Sequence, residues 1–128
     1  MSGLTPRALV VDDDVRVREL CIRALEMEGI SCEGASNGRE AKEALSTNRF
    51  DVVVTDLRMP EINGHALALD ILSNSNPPLL IVVTGVAEPR IARDLLSRGV
   101  DDVLYKPLDH DLLAMKIKSL IERREAPA

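Results

Sequence analysis

The chain has 128 residues, 45% of them hydrophobic, with 21 acidic and 16 basic side chains and a formal net charge of -5. That size and balance describe one globular domain over 1–128 that buries a core without a disulfide or structural metal. The acidic excess and the two lone aromatics, Phe50 and Tyr105, exclude both the basic patch and the stacking platform of a nucleic-acid binder.

The opening residues form no apolar signal core, and no apolar run approaches the ~18 residues needed to span a bilayer. Cys21 and Cys32 stand alone, without a C-x-x-C pair or a nearby histidine. They read as small core residues in a reducing cytoplasm rather than as a zinc or redox site.

In chain order, the run 8–11 is a buried strand that ends in Asp12, Asp13 and Asp14. Apolar residues at Val17, Leu20, Cys21, Ala24 and Leu25 then predict a helix over 15–28, capped at its start by Asp14 and closed by Gly29. A weak strand over 30–35 leads through a turn at Asn37 and Gly38 to a helix over 39–47. The run 51–56, rich in β-branched residues, predicts a third strand that stops at Asp56. A loop from Met59 to Gly64 precedes a helix ending near Ser73, and Pro77 and Pro78 break the chain. A fourth strand follows over 79–84, then a helix over 88–97 stopped by Gly99. The last pair is a strand over 103–105 and a helix over 108–124, where Leu108, Leu112, Met115 and Leu120 read as core or half-buried packing. The two ends, 1–6 and 126–128, read as frayed.

Strands apolar on both faces and alternating with helices indicate a parallel sheet covered on both sides, a single α/β domain with a core of about 8–122. The expected arrangement is flavodoxin-like, with five strands in order 2-1-3-4-5 and about five helices on two faces. Ligands of such sheets bind beyond the carboxyl ends of the strands. There the chain delivers Asp12 and Asp13 after strand one, Asp56 after strand three, Thr84 after strand four and Lys106 after strand five.

Taken singly these residues are ordinary. An Asp after a strand is more often a cap, a Lys there usually faces solvent, and Thr84 with Gly85 is a common turn. Together they suit magnesium-assisted phosphoryl transfer. Hard carboxylate oxygens hold Mg²⁺, an aspartate can become an acyl phosphate, and Lys106 and Thr84 can bind phosphoryl oxygens.

The chain resembles the receiver domain of two-component response regulators over about 8–122. The resemblance rests on Val10, Val11, Asp12, Asp13 and Asp14 as the acidic-pair strand. It rests equally on Asp56, Met59, Pro60 and Gly64 as the D-x-x-M-P-x-x-x-G loop, on Thr84 with Gly85, and on Tyr105, Lys106 and Pro107. It implies Asp56 as phosphoacceptor and Asp12, Asp13, Asp56 and the Arg58 carbonyl as ligands of Mg²⁺ (or Mn²⁺). It further implies Thr84 and Lys106 as phosphoryl-binding groups and a cis Lys106-Pro107 bond.

The implied donor is a histidine kinase or a histidine phosphotransfer protein. Such a domain catalyses its own phosphorylation and dephosphorylation without being a turnover enzyme. Output would run through a downstream protein or an appended output domain, with a phosphorylation-dependent homodimer as a further partner and no direct contact with nucleic acid or membrane. One position departs from the family pattern: Val103 stands where a switch aromatic is usual, with Tyr105 as a candidate substitute. Arg58 and Val86 are expected to rim the path of the hydrolytic water.

His65 and His110 lack a second ligand-type residue at helical spacing, and the arginines of the fourth helix read as a solvated face. Two rival readings are a haloacid-dehalogenase-like phosphohydrolase and a receiver-like interaction module that takes no phosphate. The first is disfavoured by Arg16, where its motif wants Thr or Val, and by the absence of a later acidic pair; the second by the presence of all five site residues.

Overall fold

The computed structural model describes residues 5–58, 64–85 and 89–125. The expected positions Met59 to Asn63, Val86, Glu88 and both extreme ends lie outside them. The element order is β1 (Arg7–Val11), α1 (Val15–Met27), β2 (Ser31–Ala35), α2 (Gly38–Thr47), β3 (Val52–Asp56), α3 (Gly64–Leu72), β4 (Leu79–Thr84), α4 (Pro89–Ser97), β5 (Asp102–Tyr105) and α5 (His110–Glu125). All strand pairs are parallel and the sheet order is β2-β1-β3-β4-β5, as the alternating pattern predicted.

Alternation along the strands divides the core into two layers. Ala8, Val10, Val52, Val54, Ile81 and Val83 face α1 and α5. Leu9, Val11, Val53, Leu80 and Val82 face the other way, against α2, α3 and α4. β3 and β4 are buried along their whole length, which is why they read as unbroken apolar runs.

Local signals set the helix ends. Asp14 caps α1, its carboxylate accepting from the Arg16 and Val17 N–H groups at 2.9 and 3.2 Å, and Gly29 beyond it adopts φ 83°. Asn37 caps α2 through Glu40 N–H at 2.8 Å, and the Glu40 carboxylate reaches back to Ser36 N–H. The second helix therefore begins at Gly38.

The last helix corrects the sequence reading. It begins at His110 because Asp109 is its cap, accepting from the Asp111 and Leu112 N–H groups at 3.0 and 3.1 Å. Its core stripe is Leu113, Ala114, Ile117 and Ile121. Leu112 (63% exposed) and Met115 (58%) fall outside that stripe and face solvent, while Leu108 and Leu120 pack against the core as expected. In α1, Leu20 is likewise exposed.

Candidate functional site

β1 and β3 are neighbours whose last paired residues are Val11 and Thr55, so the next residues, Asp12 and Asp56, emerge side by side. Both carry the parity of the α1–α5 face, as does Lys106 beyond β5. Thr84, at the end of β4, carries the opposite parity. Sheet order and strand alternation thus bring an ammonium from the edge strand over two carboxylates at the centre.

The Lys106 ammonium donates to Asp56 Oδ2 at 2.8 Å and to Asp12 Oδ2 at 3.2 Å. Asp12 and Asp56 are both buried, and Asp13 is exposed at the rim. Asp12 Oδ1 accepts from the Asp14 N–H at 2.9 Å, and Asp56 Oδ1 from the Arg58 N–H at 3.1 Å.

Burial raises the Asp12 pKa above the usual carboxylate value; the Asp14 N–H and Lys106 offset this only in part, and the charge on Asp56 adds to it. For Lys106 burial acts downward, but the bonds to Asp56 and Asp12 outweigh it and hold the ammonium pKa above its ordinary value. Three carboxylates, Asp12, Asp13 and Asp56, against the single Lys106 ammonium give the site more negative charge than one lysine balances.

Carboxylate oxygens of Asp12, Asp13 and Asp56 lie within 4.8 Å of one another. Three hard oxygen donors around a site short of positive charge match the requirements of Mg²⁺, which takes a few protein oxygens and keeps waters for the rest.

The peptide of Asp56 is itself closely held. The buried Thr55 hydroxyl donates to the Asp56 carbonyl at 3.0 Å. Gly64 packs on the same carbonyl and donates its N–H to Leu57 O at 2.9 Å; a Cβ at Gly64 would lie 2.0 Å from Asp56 O. That explains the glycine of the motif by space rather than by dihedral preference.

Thr84 is buried, and its carbonyl accepts from the Lys106 N–H at 2.9 Å. Its register partner is Tyr105. The Lys106-Pro107 bond is cis. The Arg58 side chain is exposed beside the site.

Beneath the carboxylates a cavity of about 20 Å³ is lined by Asp12, Asp56, Lys106, Cys21 and His110, among others. His110 Nε2 is shut from solvent with no hydrogen-bond partner among the described residues. His65 approaches Asp94 on α4 at 3.4 Å. Both cysteines are free, and burial pushes each thiol up to about 12, so neither is a nucleophile at neutral pH.

One neighbour of the site had no place in the sequence reading. Arg18, on α1, donates from Nη1 to the Asp12 carbonyl at 2.6 Å.

The family described as "Response regulator receiver domain" matches residues 8–118. Similar sequences include the transcriptional regulatory protein CpxR homolog of Haemophilus influenzae, 35% identical over 95% of this chain and 53% of that protein. The transcriptional regulatory protein PrrA of Mycobacterium tuberculosis is 35% identical over 99% and 55% respectively. The chain therefore spans about half the length of the curated relatives it matches.

Among solved structures, a response regulator receiver protein from Pseudomonas putida is 33% identical with a TM-score of 0.85, covering 91% of this chain and 98% of that one. A CheY-like receiver domain protein from Methanospirillum hungatei is 27% identical with a TM-score of 0.89, covering 95% and 98%. No described helix is long and apolar enough to cross a membrane.

Proposed function

Since the chain belongs to the response regulator receiver domain family of two-component systems, we propose that Asp56 accepts a phosphoryl group from a phosphorylated histidine of a kinase or phosphotransfer protein. The observation that carries this reading is the convergence of Asp12, Asp13 and Asp56 with Lys106 at the carboxyl ends of three different strands.

In the proposed reaction an Asp56 carboxylate oxygen attacks the phosphorus. A P–O bond forms, the P–N bond breaks, and its electron pair returns to the donor imidazole. Asp12, Asp13, Asp56 and the Arg58 carbonyl would hold Mg²⁺ (or Mn²⁺), which when bound supplies positive charge against the phosphoryl oxygens. Lys106, already within hydrogen-bond reach of the acceptor carboxylate, meets the incoming oxygens by a charge-assisted bond. The Thr84 hydroxyl adds a neutral one. Hydrolysis of the acyl phosphate by water, past the Arg58 side chain, resets the domain, so an Arg58→Ala variant changes the dephosphorylation rate while leaving Mg²⁺ affinity nearly unaltered.

Phosphorylation places about two negative charges and three strong acceptors at the end of β3. We read the α4–β5 region as the element that responds, with output through a downstream protein, a phosphorylation-dependent homodimer or an output domain of a longer regulator. The relatives of about twice this length are named transcriptional regulators; contact with DNA would belong to such a longer protein and not to this single domain of core 8–122. A cytoplasmic setting follows from the same reading.

The test is modification by acetyl phosphate, or by beryllofluoride, in the presence of Mg²⁺. With acetyl phosphate, intact mass should rise by one phosphoryl group on Asp56, and the Asp56→Asn variant should show none. Turnover of phosphate esters through Asp12 would instead indicate a phosphohydrolase.

A further inference from the structure

Asp12 is held from four sides, and one of the four is of a different kind. Its N–H donates to Ala35 O on β2 at 3.1 Å, its Oδ1 accepts from the Asp14 N–H, and its Oδ2 accepts from Lys106. The fourth contact is that of the half-buried Arg18, whose guanidinium donates to the backbone carbonyl of Asp12 at 2.6 Å and leaves the carboxylate alone.

The route taken by this arm explains an otherwise odd residue. Gly34 lies inside β2, paired with Val10, and has no positive φ to require a glycine. A Cβ there would lie 3.1 Å from Arg18 Cδ, 3.3 Å from Arg18 Nε and 3.2 Å from Ile22 Cδ1. Glycine inside a strand marks a close approach by something else, and here that is the Arg18 side chain crossing the edge of the sheet.

We propose that Arg18 is a positioning residue for the acidic pair: lying across Gly34, it fixes the Asp12 peptide so that the Asp12 and Asp13 carboxylates are preorganised for Mg²⁺. The proposal rests on the reading of Asp12 and Asp13 as metal-holding residues. Its chemical sense lies in the choice of atom. If the Asp12 carboxylate exchanges Lys106 for a cation, Oδ2 changes partner, whereas a hydrogen bond to the carbonyl is unaffected and keeps the loop in place. A guanidinium bonded to the carbonyl also does not compete with the cation for the carboxylate.

The experiment measures Mg²⁺ affinity by calorimetry on wild type, Arg18→Met, Gly34→Ala and the double variant. Arg18→Met keeps the apolar stem and should weaken Mg²⁺ binding about 10-fold, as removal of a group that orients a metal ligand does. Gly34→Ala, which displaces the same arm without touching its charge, should weaken it in the same direction by less. The double variant should be no weaker than Arg18→Met, because both changes break one contact. Without any metal, the Asp14 amide should exchange with solvent faster in both single variants, since its partner Asp12 is less fixed. At saturating Mg²⁺ the rate of Asp56 modification by acetyl phosphate should return to within about two-fold of wild type, the signature of lost binding rather than lost chemistry.

Wild-type Mg²⁺ affinity in Arg18→Met, or in Gly34→Ala should Arg18→Met fail to fold, overturns the proposal. So does strict additivity in the double variant. Wild-type protein that binds Mg²⁺ yet is not modified on Asp56 overturns the phosphoacceptor reading alone, and the Mg²⁺ constants then still decide the role of Arg18. Absence of Mg²⁺ binding in wild type overturns both.

Discussion

Lys106 and Asp56 form a close ion pair across the carboxyl edge of the sheet, Nζ to Oδ2 at 2.8 Å, with the Asp56 side chain 9% and the Lys106 side chain 28% exposed. The same ammonium reaches Asp12, so Lys106→Met leaves two neighbouring buried carboxylates without their cation. Removing one partner of a fully buried pair costs ~3–5 kcal/mol; with the ammonium still partly hydrated, we expect about 2 kcal/mol in metal-free buffer at pH 7.

The pH dependence has a definite sign. The Lys106 pKa is raised in the folded state, so its contribution is complete at neutral pH and is lost as pH climbs through that raised value, above 10.5. Urea unfolding of wild type and Lys106→Met should therefore converge at alkaline pH and differ most near neutrality. Asp12 works the other way. Its raised pKa means that the native state holds the proton more tightly, so ionised Asp12 subtracts stability at neutral pH and that penalty is relieved as pH falls.

The same surplus of negative charge predicts the response to metal. Three carboxylates share a site with one lysine, and a cation that binds only the folded state stabilises it by mass action. At Mg²⁺ ten times above its dissociation constant the gain is about 1.4 kcal/mol. Asp13→Asn removes a proposed ligand and a repulsive neighbour together. It should raise the melting temperature in EDTA and abolish the rise on adding Mg²⁺; a variant that still gains stability from Mg²⁺ would exclude Asp13 as a ligand.

Gly64 makes a sharper demand. A Cβ on it would stand 2.0 Å from the Asp56 carbonyl and 2.6 Å from Leu57 Cα, both backbone atoms that cannot swing aside. Gly64→Ala must displace the start of α3 or the peptide that carries the acceptor. We expect a loss of about 2 kcal/mol or more, in the range of overpacking a close contact. A still larger fall should appear in the rate of Asp56 modification, because a shift of the Asp56 peptide moves the proposed nucleophile itself. Normal modification kinetics in a folded Gly64→Ala protein would contradict this reading of the contact.

These sites differ in how far the chain alone reveals them. The placement of Asp12, Asp13, Asp56, Thr84 and Lys106 is legible because each ends a strand or stands within two residues of one whose apolar run marks its end, and the carboxyl edge of a parallel sheet is where such ends meet. The pairing of Lys106 with two carboxylates needed the strand order as well. The start of α5 was misplaced by two residues although Asp109 carried the capping signal. The outward aspect of Leu112 and Met115 had no signal, since five of the seven residues from Leu112 to Lys118 are compatible with either face until packing partners are known. Arg18 carries no signal of its own, being a charged residue between the apolar positions of α1. The only hint of its path was a glycine in the middle of β2, which marks close approach without saying by what.

Tyr105 stands directly across from Thr84 in the β4–β5 register and is 42% exposed, whereas Val103, at the usual switch position, packs against the α4 side of the core. On the proposed reading, a threonine drawn towards a phosphoryl group at Asp56 would move beside a tyrosine already at the surface, and Lys106, bonded through its N–H to the Thr84 carbonyl, would move with the same strand ends. Tyr105→Ala should leave the rate of Asp56 modification unchanged while weakening the beryllofluoride-dependent association with a partner or a second copy by about five-fold, the ~1 kcal/mol of a modest aromatic anchor. The chain has one tyrosine and no tryptophan, so intrinsic fluorescence reports this residue alone and should change when beryllofluoride and Mg²⁺ are added. Association measured by sedimentation that is equal in wild type and Tyr105→Ala, with a silent fluorescence signal, would remove Tyr105 from the output path and leave α4 as the responding element.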